Sequence, residues 1–242
     1  IEDGLVDSVI FSVDQDARGY LWIGTRAGVN RFDGRDFATL TIDDGLSHNV
    51  IRDIFAAGDG ALWIATERGL TRSVDGVLTS LTTDDGLPHH SVRCLAEGRD
   101  GALWFGTYGG GACRLADGHL EVFGVTDGLA HPKVRVLLRA SNGDLWFGTS
   151  GGGASRYRDG RWETFAAAEG LGHPEVRALM EDDQGRIWVG TRAGLYRQEG
   201  ERFRPVAPDV LGAETVNVVT RDRRGRTWVG TREGGALVIE GD

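Results

Sequence analysis

Lysine is almost absent from this 242-residue chain: of the 27 basic residues, only Lys133 is a lysine. Positive charge is also outnumbered, because 36 acidic residues give a formal net charge of −9. Nucleic-acid binding draws on clustered positive charge, so this balance argues against a nucleic-acid partner. No apolar run approaches the roughly 18–20 residues that a membrane-spanning helix needs. We therefore expect this segment neither to bind nucleic acid nor to insert into a membrane.

Cysteine is scarce as well. Cys94 and Cys113 lack CxxC spacing and have no histidines at zinc-site spacing, so we predict two free thiols and no metal site. The triplets at 109–111 and 151–153 are not followed by the GK[ST] of a phosphate loop, so we interpret them as slack turns and predict no cofactor. No secretory signal precedes Ile1, and the missing initiator methionine favours a trimmed or mature segment.

Glycine, in contrast, is abundant, with 38 residues spread along the whole chain. It belongs to a repeat in which a phrase such as LWIGT or LWFGT recurs every 40 to 42 residues. One glycine lies three residues before each repeat tryptophan and another lies six residues after it. The tryptophans are Trp22, Trp63, Trp104, Trp146, Trp188 and Trp228. Repeats of this length with glycine turns are typical of propeller blades.

Each period reads as four short strands, a to d, separated by Gly or Asp-Gly turns. The sequence therefore predicts an all-β fold, a six-bladed β-propeller of four-stranded antiparallel blades, with the tryptophans between neighbouring blades. The sixth repeat ends after strand c, so the last blade lacks its outer strand in this chain. We expect that strand in flanking sequence of a longer protein, the alternative being imperfect pairing of the two ends. The chain is one domain, with repeats at approximately 3–43, 44–84, 85–126, 127–168, 169–208 and 209–242.

The repeat also carries a DGL element, as in Asp44-Gly45-Leu46, followed by H-x-x-V-R-x-L and then DGxLWFGT. Over essentially the whole chain, these residues resemble the two-component regulator propeller repeat family. That family forms extracytoplasmic sensor regions of bacterial hybrid histidine kinases and some diguanylate cyclases. The resemblance implies a periplasmic or extracellular sensor module of a larger, membrane-anchored, multi-repeat signalling protein. The sixth repeat departs most, because Asp209-Val210-Leu211 replaces DGL.

Two columns of polar residues are predicted near the propeller axis, at the start of the innermost strand a. Asp7 and Ala213 replace the histidine in repeats one and six, and Phe11 and Asn217 replace the arginine. Arginine suits carboxylate or phosphate, and histidine adds donors that charge near neutral pH. The candidate ligand-binding residues at the channel mouth are His48, His89, His131, His173, Arg52, Arg93, Arg135 and Arg177.

A structural role for both columns stands beside the binding one: each arginine would pair with an aspartate of a DGL turn, and each histidine would bond loop carbonyls. The strand-c arginines (Arg31, Arg72, Arg114, Arg156 and Arg197) are interpreted as an inter-blade salt-bridge ladder. We predict no catalytic residues and no enzyme activity. The leading hypothesis is a sensory module that binds a small, anionic ligand or another protein domain. The alternatives are a propeller lyase or hydrolase that uses a channel-mouth histidine, and a purely structural or protein-interaction scaffold.

Overall fold

The computed structural model of the protein describes residues 4–239, so Asp3 of the first DGL lies outside the described residues. The chain divides into two compact units, Ile1–Val122 and Phe123–Asp242. Each sheet is antiparallel, and its strands follow one another in chain order from one edge to the other.

The first three repeats form three four-stranded sheets. Their strands are β1 (Ile10–Gln15), β2 (Leu21–Thr25), β3 (Val29–Phe32), β4 (Phe37–Leu40), β5 (Ile51–Ala56), β6 (Leu62–Thr66), β7 (Gly69–Val74), β8 (Val77–Leu81), β9 (Val92–Glu97), β10 (Leu103–Thr107), β11 (Ala112–Ala116) and β12 (His119–Phe123).

The last three repeats form two four-stranded sheets and, within the described residues, one of three strands. The fold is a six-bladed β-propeller with a shortened last blade, as the sequence predicts. The elements are β13 (Val134–Arg139), β14 (Leu145–Thr149), β15 (Ala154–Arg158), β16 (Arg161–Phe165), β17 (Val176–Glu181), β18 (Ile187–Thr191), β19 (Gly194–Glu199), β20 (Arg202–Val206), α1 (Pro208–Leu211), β21 (Val216–Arg221), β22 (Thr227–Thr231) and β23 (Ala236–Ile239).

Each residue of the DGL element has its own structural role, which the second repeat illustrates. A single 3-10 turn, Ile42–Asp44, precedes strand a, and the backbone N–H of Thr41 donates to Asp44 Oδ2 at 2.8 Å. Gly45 ends the turn with φ 109°, a left-handed conformation that a side chain would strain. Leu46 then enters the core at 4% exposure. The same 3-10 turn recurs at Thr83–Asp85, Val125–Asp127 and Ala167–Glu169.

The sixth repeat buries the equivalent leucine with a different local structure. Val210 occupies the glycine position, and the chain there forms the short helix α1 instead of a 3-10 turn. Leu211 is nevertheless buried, at 2% exposure, in the core position of the other DGL leucines. Burial of this leucine is therefore the feature that all the described d–a connections share.

Where two consecutive blades lie in one unit, the repeat tryptophan packs between them, as predicted. Trp22, Trp63, Trp146 and Trp188 each pack in a core cluster that includes residues of the following blade. Trp146 packs in one cluster with Val176, Leu179 and Phe203 of the following blade. Trp188 likewise packs with Val216 and other residues of the sixth blade. Strand a of each blade also contacts strand a of the next one within the same unit, which makes it the inner strand as expected.

The strand-c arginines do not form the inter-blade ladder that the sequence suggested. Arg114 pairs with Asp100 at 2.6 Å and with Glu121 at 2.7 Å, both in its own blade. Arg156 pairs with Glu163 on the adjacent strand and lies 5.5 Å from the centre of the Trp146 ring. The column therefore packs over the tryptophan rings, and its ion pairs stay within one blade. In the fourth blade strand d presents the carboxylate directly opposite the arginine.

The second unit offers a test of how much each tryptophan contributes. Trp188 Nε1 donates to Asp182 at 2.8 Å, and Trp228 Nε1 donates to Asp222 at 3.0 Å, so the two share a polar partner. Trp188 is 1% exposed, whereas Trp228 in the shortened blade is half-buried. We expect Trp188→Ala to lower the free energy of unfolding by about 3–5 kcal/mol and Trp228→Ala to lower it clearly less. Equal losses in urea unfolding would contradict burial as the dominant contribution.

Candidate binding site on the inner strands

The four histidines of the candidate site all make the same local contact. The ring Nδ1 of His48, His89, His131 and His173 accepts the backbone N–H of the residue two positions later, at 3.0–3.1 Å. In the first repeat Asp7 Oδ1 takes the same role, accepting the N–H of Val9 at 2.7 Å. The column therefore stabilises the turn into strand a, and an aspartate can replace the histidine because only an acceptor is required.

This contact fixes the chemistry of the rings. A neutral imidazole has one ring nitrogen that donates and one that accepts. Since Nδ1 accepts a backbone N–H, the proton lies on Nε2, and the lone pair that a general base would use is already bonded. Burial and the neighbouring ring of His90 also lower the pKa of His89. The histidines are thus built as donors through Nε2, not as bases.

In the first unit, the two candidate arginines converge on one carboxylate that the sequence analysis missed. Arg52 donates through Nε to Glu67 Oε1 at 2.6 Å, and Arg93 lies 3.2 Å from the same oxygen. Burial raises the pKa of Glu67, but Ser91 and the two guanidinium groups outweigh it and hold that pKa below its usual range. Arg52 also stacks over the ring of Phe11 at 4.7 Å.

In the second unit, the arrangement is repeated around a different carboxylate. Glu175 lies 2.8 Å from Arg177, 3.6 Å from Arg135 and 3.7 Å from Arg192. Arg177 also donates to the side-chain oxygen of Asn217 at 3.0 Å. Three guanidinium groups therefore share one carboxylate here, and two share one in the first unit.

These partners differ from the ones that the structural alternative named. The DGL aspartates are used within their own turns, as Asp85 shows by accepting the N–H of Thr82 at 2.9 Å. The carboxylates that do meet the arginines stand at positions where the repeats differ: Glu67 opens a b–c turn, and Glu175 immediately precedes a strand a. The sequence carries no signal for this clustering, because the two positions face each other only once strands a and b have paired. The backbone N–H of Glu67 donates to Val50, and that of Arg192 donates to Glu175.

The prediction that the glycine triplets form slack turns is wrong. A Cβ added to Gly109 would lie 2.7 Å from the His89 ring, and one on Gly110 would lie 2.8 Å from Pro88. The third b–c turn therefore packs directly against the histidine loop of its own blade, and only glycine leaves room for that contact.

The inner strands of the first unit also carry a half-buried carboxylate, that of Asp53. Asp53 accepts the Ser12 hydroxyl at 2.9 Å and the N–H of Leu95 at 2.9 Å, and so links three successive blades. Burial raises the pKa of Asp53 to about 6 in spite of these hydrogen bonds.

The buried thiols Cys94 and Cys113 are both free, as predicted, and burial raises the pKa of each. Among residues 4–239, no group of three or more potential metal ligands comes together.

Comparison with known proteins identifies the family of this chain. The family described as two component regulator propeller matches the chain five times, at residues 4–27, 45–68, 86–109, 128–151 and 170–193. The chain belongs to the two-component regulator propeller family. Thirty-five of its residues, 14% of the chain, are 51% identical to histidine kinase P4 of Formosa agariphila, and they cover 3% of that protein.

Solved structures with the same fold come from different kinds of protein. One is the extracellular domain of a protein assigned as a hybrid two component system from B. thetaiotaomicron, with TM-score 0.84 and 23% identity over 100% of this chain. This chain spans 36% of that domain's length. Another is virginiamycin B lyase from Staphylococcus aureus, with TM-score 0.77 and 12% identity over 98% of this chain and 85% of the lyase. At these identities the likeness establishes a common fold. No described helix here is long and apolar enough to cross a bilayer.

The raised pKa of Asp53 predicts how stability depends on pH. The folded state holds its proton more tightly than an unfolded aspartate, so stability is lost as the pH rises from about 4 through about 6. Because the side chain is still partly accessible, a loss of about 1–3 kcal/mol is expected. Asp53→Asn should remove this slope in urea unfolding between those pH values, while Asp43→Asn, at an exposed site, should keep it. An unchanged slope in Asp53→Asn would show that another group titrates.

Proposed function

We propose that this propeller is the ligand-sensing module of a bacterial two-component signalling protein, on the extracytoplasmic side, and that it binds a small anionic ligand. Family membership and the fold shared with an extracellular domain of a hybrid two component system support the sensing role. The ligand-binding residues are the inner-strand arginines, with Nε2 of the column histidines as additional donors.

The observation that supports an anionic ligand is the excess of guanidinium groups over carboxylates in the two inner-strand clusters, around Glu67 and around Glu175. Around Glu175, three arginines form ion pairs with one carboxylate, and around Glu67 two arginines do, so each set of ion pairs carries more positive than negative charge. Side chains of Arg135 and Arg177 are 30% and 21% exposed, so solvent and small solutes reach them. A ligand carboxylate or phosphate would bind as a second anion and balance this positive charge.

The enzyme alternative has support from the fold alone, through the likeness to a lyase. The geometry speaks against its proposed chemistry, because each column histidine already uses its Nδ1 lone pair on a backbone N–H. In the scaffold alternative, a partner protein binds without a small ligand. The inner-strand arginines would then only stabilise the fold.

Titration of the full chain with succinate and with sulfate, followed by calorimetry, tests the binding site. We expect saturable binding that weakens as ionic strength rises from about 0.01 M to about 1 M, because partly exposed charges are screened. Arg135→Ala with Arg177→Ala should weaken it at least about tenfold, as the loss of charge-assisted hydrogen bonds implies.

The matched control is Arg72→Ala with Arg114→Ala, which removes the same charge from arginines on strand c that already face carboxylates. Binding in this control should equal that of the wild type. No saturable binding of either anion, or equal weakening by both double variants, would contradict an inner-strand site and favour the scaffold.

A further inference from the structure

A hollow of about 290 Å³ lies between the first and second blades, at the end opposite the histidine turns. Its wall is mostly apolar and includes Trp22, Leu40 and Leu62. The a–b hairpin of the first blade and the c–d turn of the second form the rim, where Arg18 and Asp75 pair at 3.4 Å. The volume is at the lower end of small-molecule sites.

The guanidinium of Arg31 lines this hollow and has no described carboxylate within ion-pair distance. Arg31 lines it and lies 4.8 Å from the centre of the Tyr20 ring and 5.9 Å from that of Trp22. Among residues 4–239, no carboxylate lies within ion-pair distance of the Arg31 guanidinium, in contrast to the equivalent arginines of the next four blades. Those arginines and their partners are Arg72 with Asp59, Arg114 with Asp100 and Glu121, Arg156 with Glu163, and Arg197 with Glu199.

The reason is visible in the first repeat itself. The a–b turn position that holds an aspartate in the second and third blades holds Arg18 here. The residue opposite the arginine on strand d, glutamate in the fourth blade, is Ala38. The nearby Asp16 is occupied, since it accepts Trp22 Nε1 at 2.9 Å and the N–H of Tyr20 at 3.0 Å. The first repeat has thus lost these two acids. It keeps a third, Asp33, at the position of Glu199 in the fifth blade, but Asp33 lies beyond ion-pair distance of Arg31. The backbone N–H groups of Asp36 and Arg35 and, more weakly, the charge of Arg31 lower the pKa of Asp33.

The first interface is filled less tightly than the one between the fourth and fifth blades, and the second interface shares this feature, with Leu81 and a half-buried Trp63 at the same positions. In the fourth blade Trp146 is 2% exposed, because Phe165 and Phe203 lie 5.0 and 6.2 Å from its ring. Leu40 stands at the position of Phe165, and Trp22 is half-buried. A larger hollow of about 770 Å³ adjoins the next interface, but its arginines, Arg72 and Arg114, face carboxylates.

We propose that this hollow, defined by Trp22, Tyr20, Leu40, Leu62 and Arg31, binds a small aromatic carboxylic acid. The ring packs against the indole of Trp22 and the leucines, and the carboxylate accepts hydrogen bonds from Arg31. The site is separate from the inner-strand arginines. Its ligand class follows from an apolar wall and from Arg31, which has no described carboxylate within ion-pair distance.

Phenylacetate is the probe, titrated into the full chain by calorimetry, with phenylacetamide as its neutral counterpart. Two variants remove the anion's partner in different ways: Arg31→Gln deletes the charge, and Ala38→Glu supplies the carboxylate that the fourth blade has. Thr79→Glu is the matched control, because Thr79 lies opposite Arg72 as Ala38 lies opposite Arg31. Thermal unfolding of each variant checks that the fold is intact.

We expect saturable phenylacetate binding that weakens at least about tenfold in Arg31→Gln and in Ala38→Glu and is unchanged in Thr79→Glu. Phenylacetamide should bind at least about tenfold more weakly, because it lacks the charge. Leu40→Phe, which copies the fourth blade, should abolish binding by filling the hollow. Absence of saturable binding, equal affinity for phenylacetamide, or equal effects of Ala38→Glu and Thr79→Glu would overturn the proposal.

Discussion

A four-stranded blade of this protein cannot bury its own faces, and the structure depends on the contact that one blade makes with the next. The tryptophan of strand b and the leucine of the d–a connection enter that contact in each unit, as Trp146 and Leu171 do in a single cluster. Burial of large apolar side chains is the main favourable contribution to such interfaces. The remaining repeat residues serve to place these two side chains. The DGL turn, the histidine turn and the strand-c arginine all act on the segments that carry them.

It follows that residues repeated in every blade are mostly used in internal contacts. The column histidines bond backbone amides, and the DGL aspartates close their own turns. Chemistry that can face a ligand arises where one repeat departs from the others. Glu67 and Glu175 form ion pairs with several arginines at two such positions. At a third, Arg31 has no described carboxylate within ion-pair distance.

The six-bladed fold, its strands and the buried tryptophans could be predicted from the sequence, because periodic glycines and apolar residues determine local turns and burial. The clustering of arginines on Glu67 and Glu175 could not, since it requires knowing which residue of a b–c turn faces the start of strand a. Nor could the true partners of Arg114 and Arg156, because they depend on how the a–b turn sits beside strand c and on the register of strands c and d. The glycine triplets were misread for a similar reason: the contact of Gly109 with His89 is tertiary.

The claim that the repeated residues serve the fold is tested most directly by the protonation of the column histidines. Long-range proton–nitrogen NMR spectra of the 15N-labelled chain distinguish the two neutral tautomers. They are recorded well above the usual histidine pKa of about 6.5, so that the rings are neutral. The account predicts the Nε2–H tautomer for His48, His131 and His173, each with an unprotonated Nδ1 bonded to a backbone N–H. A proton on Nδ1, or signals averaged between the two tautomers, would contradict it.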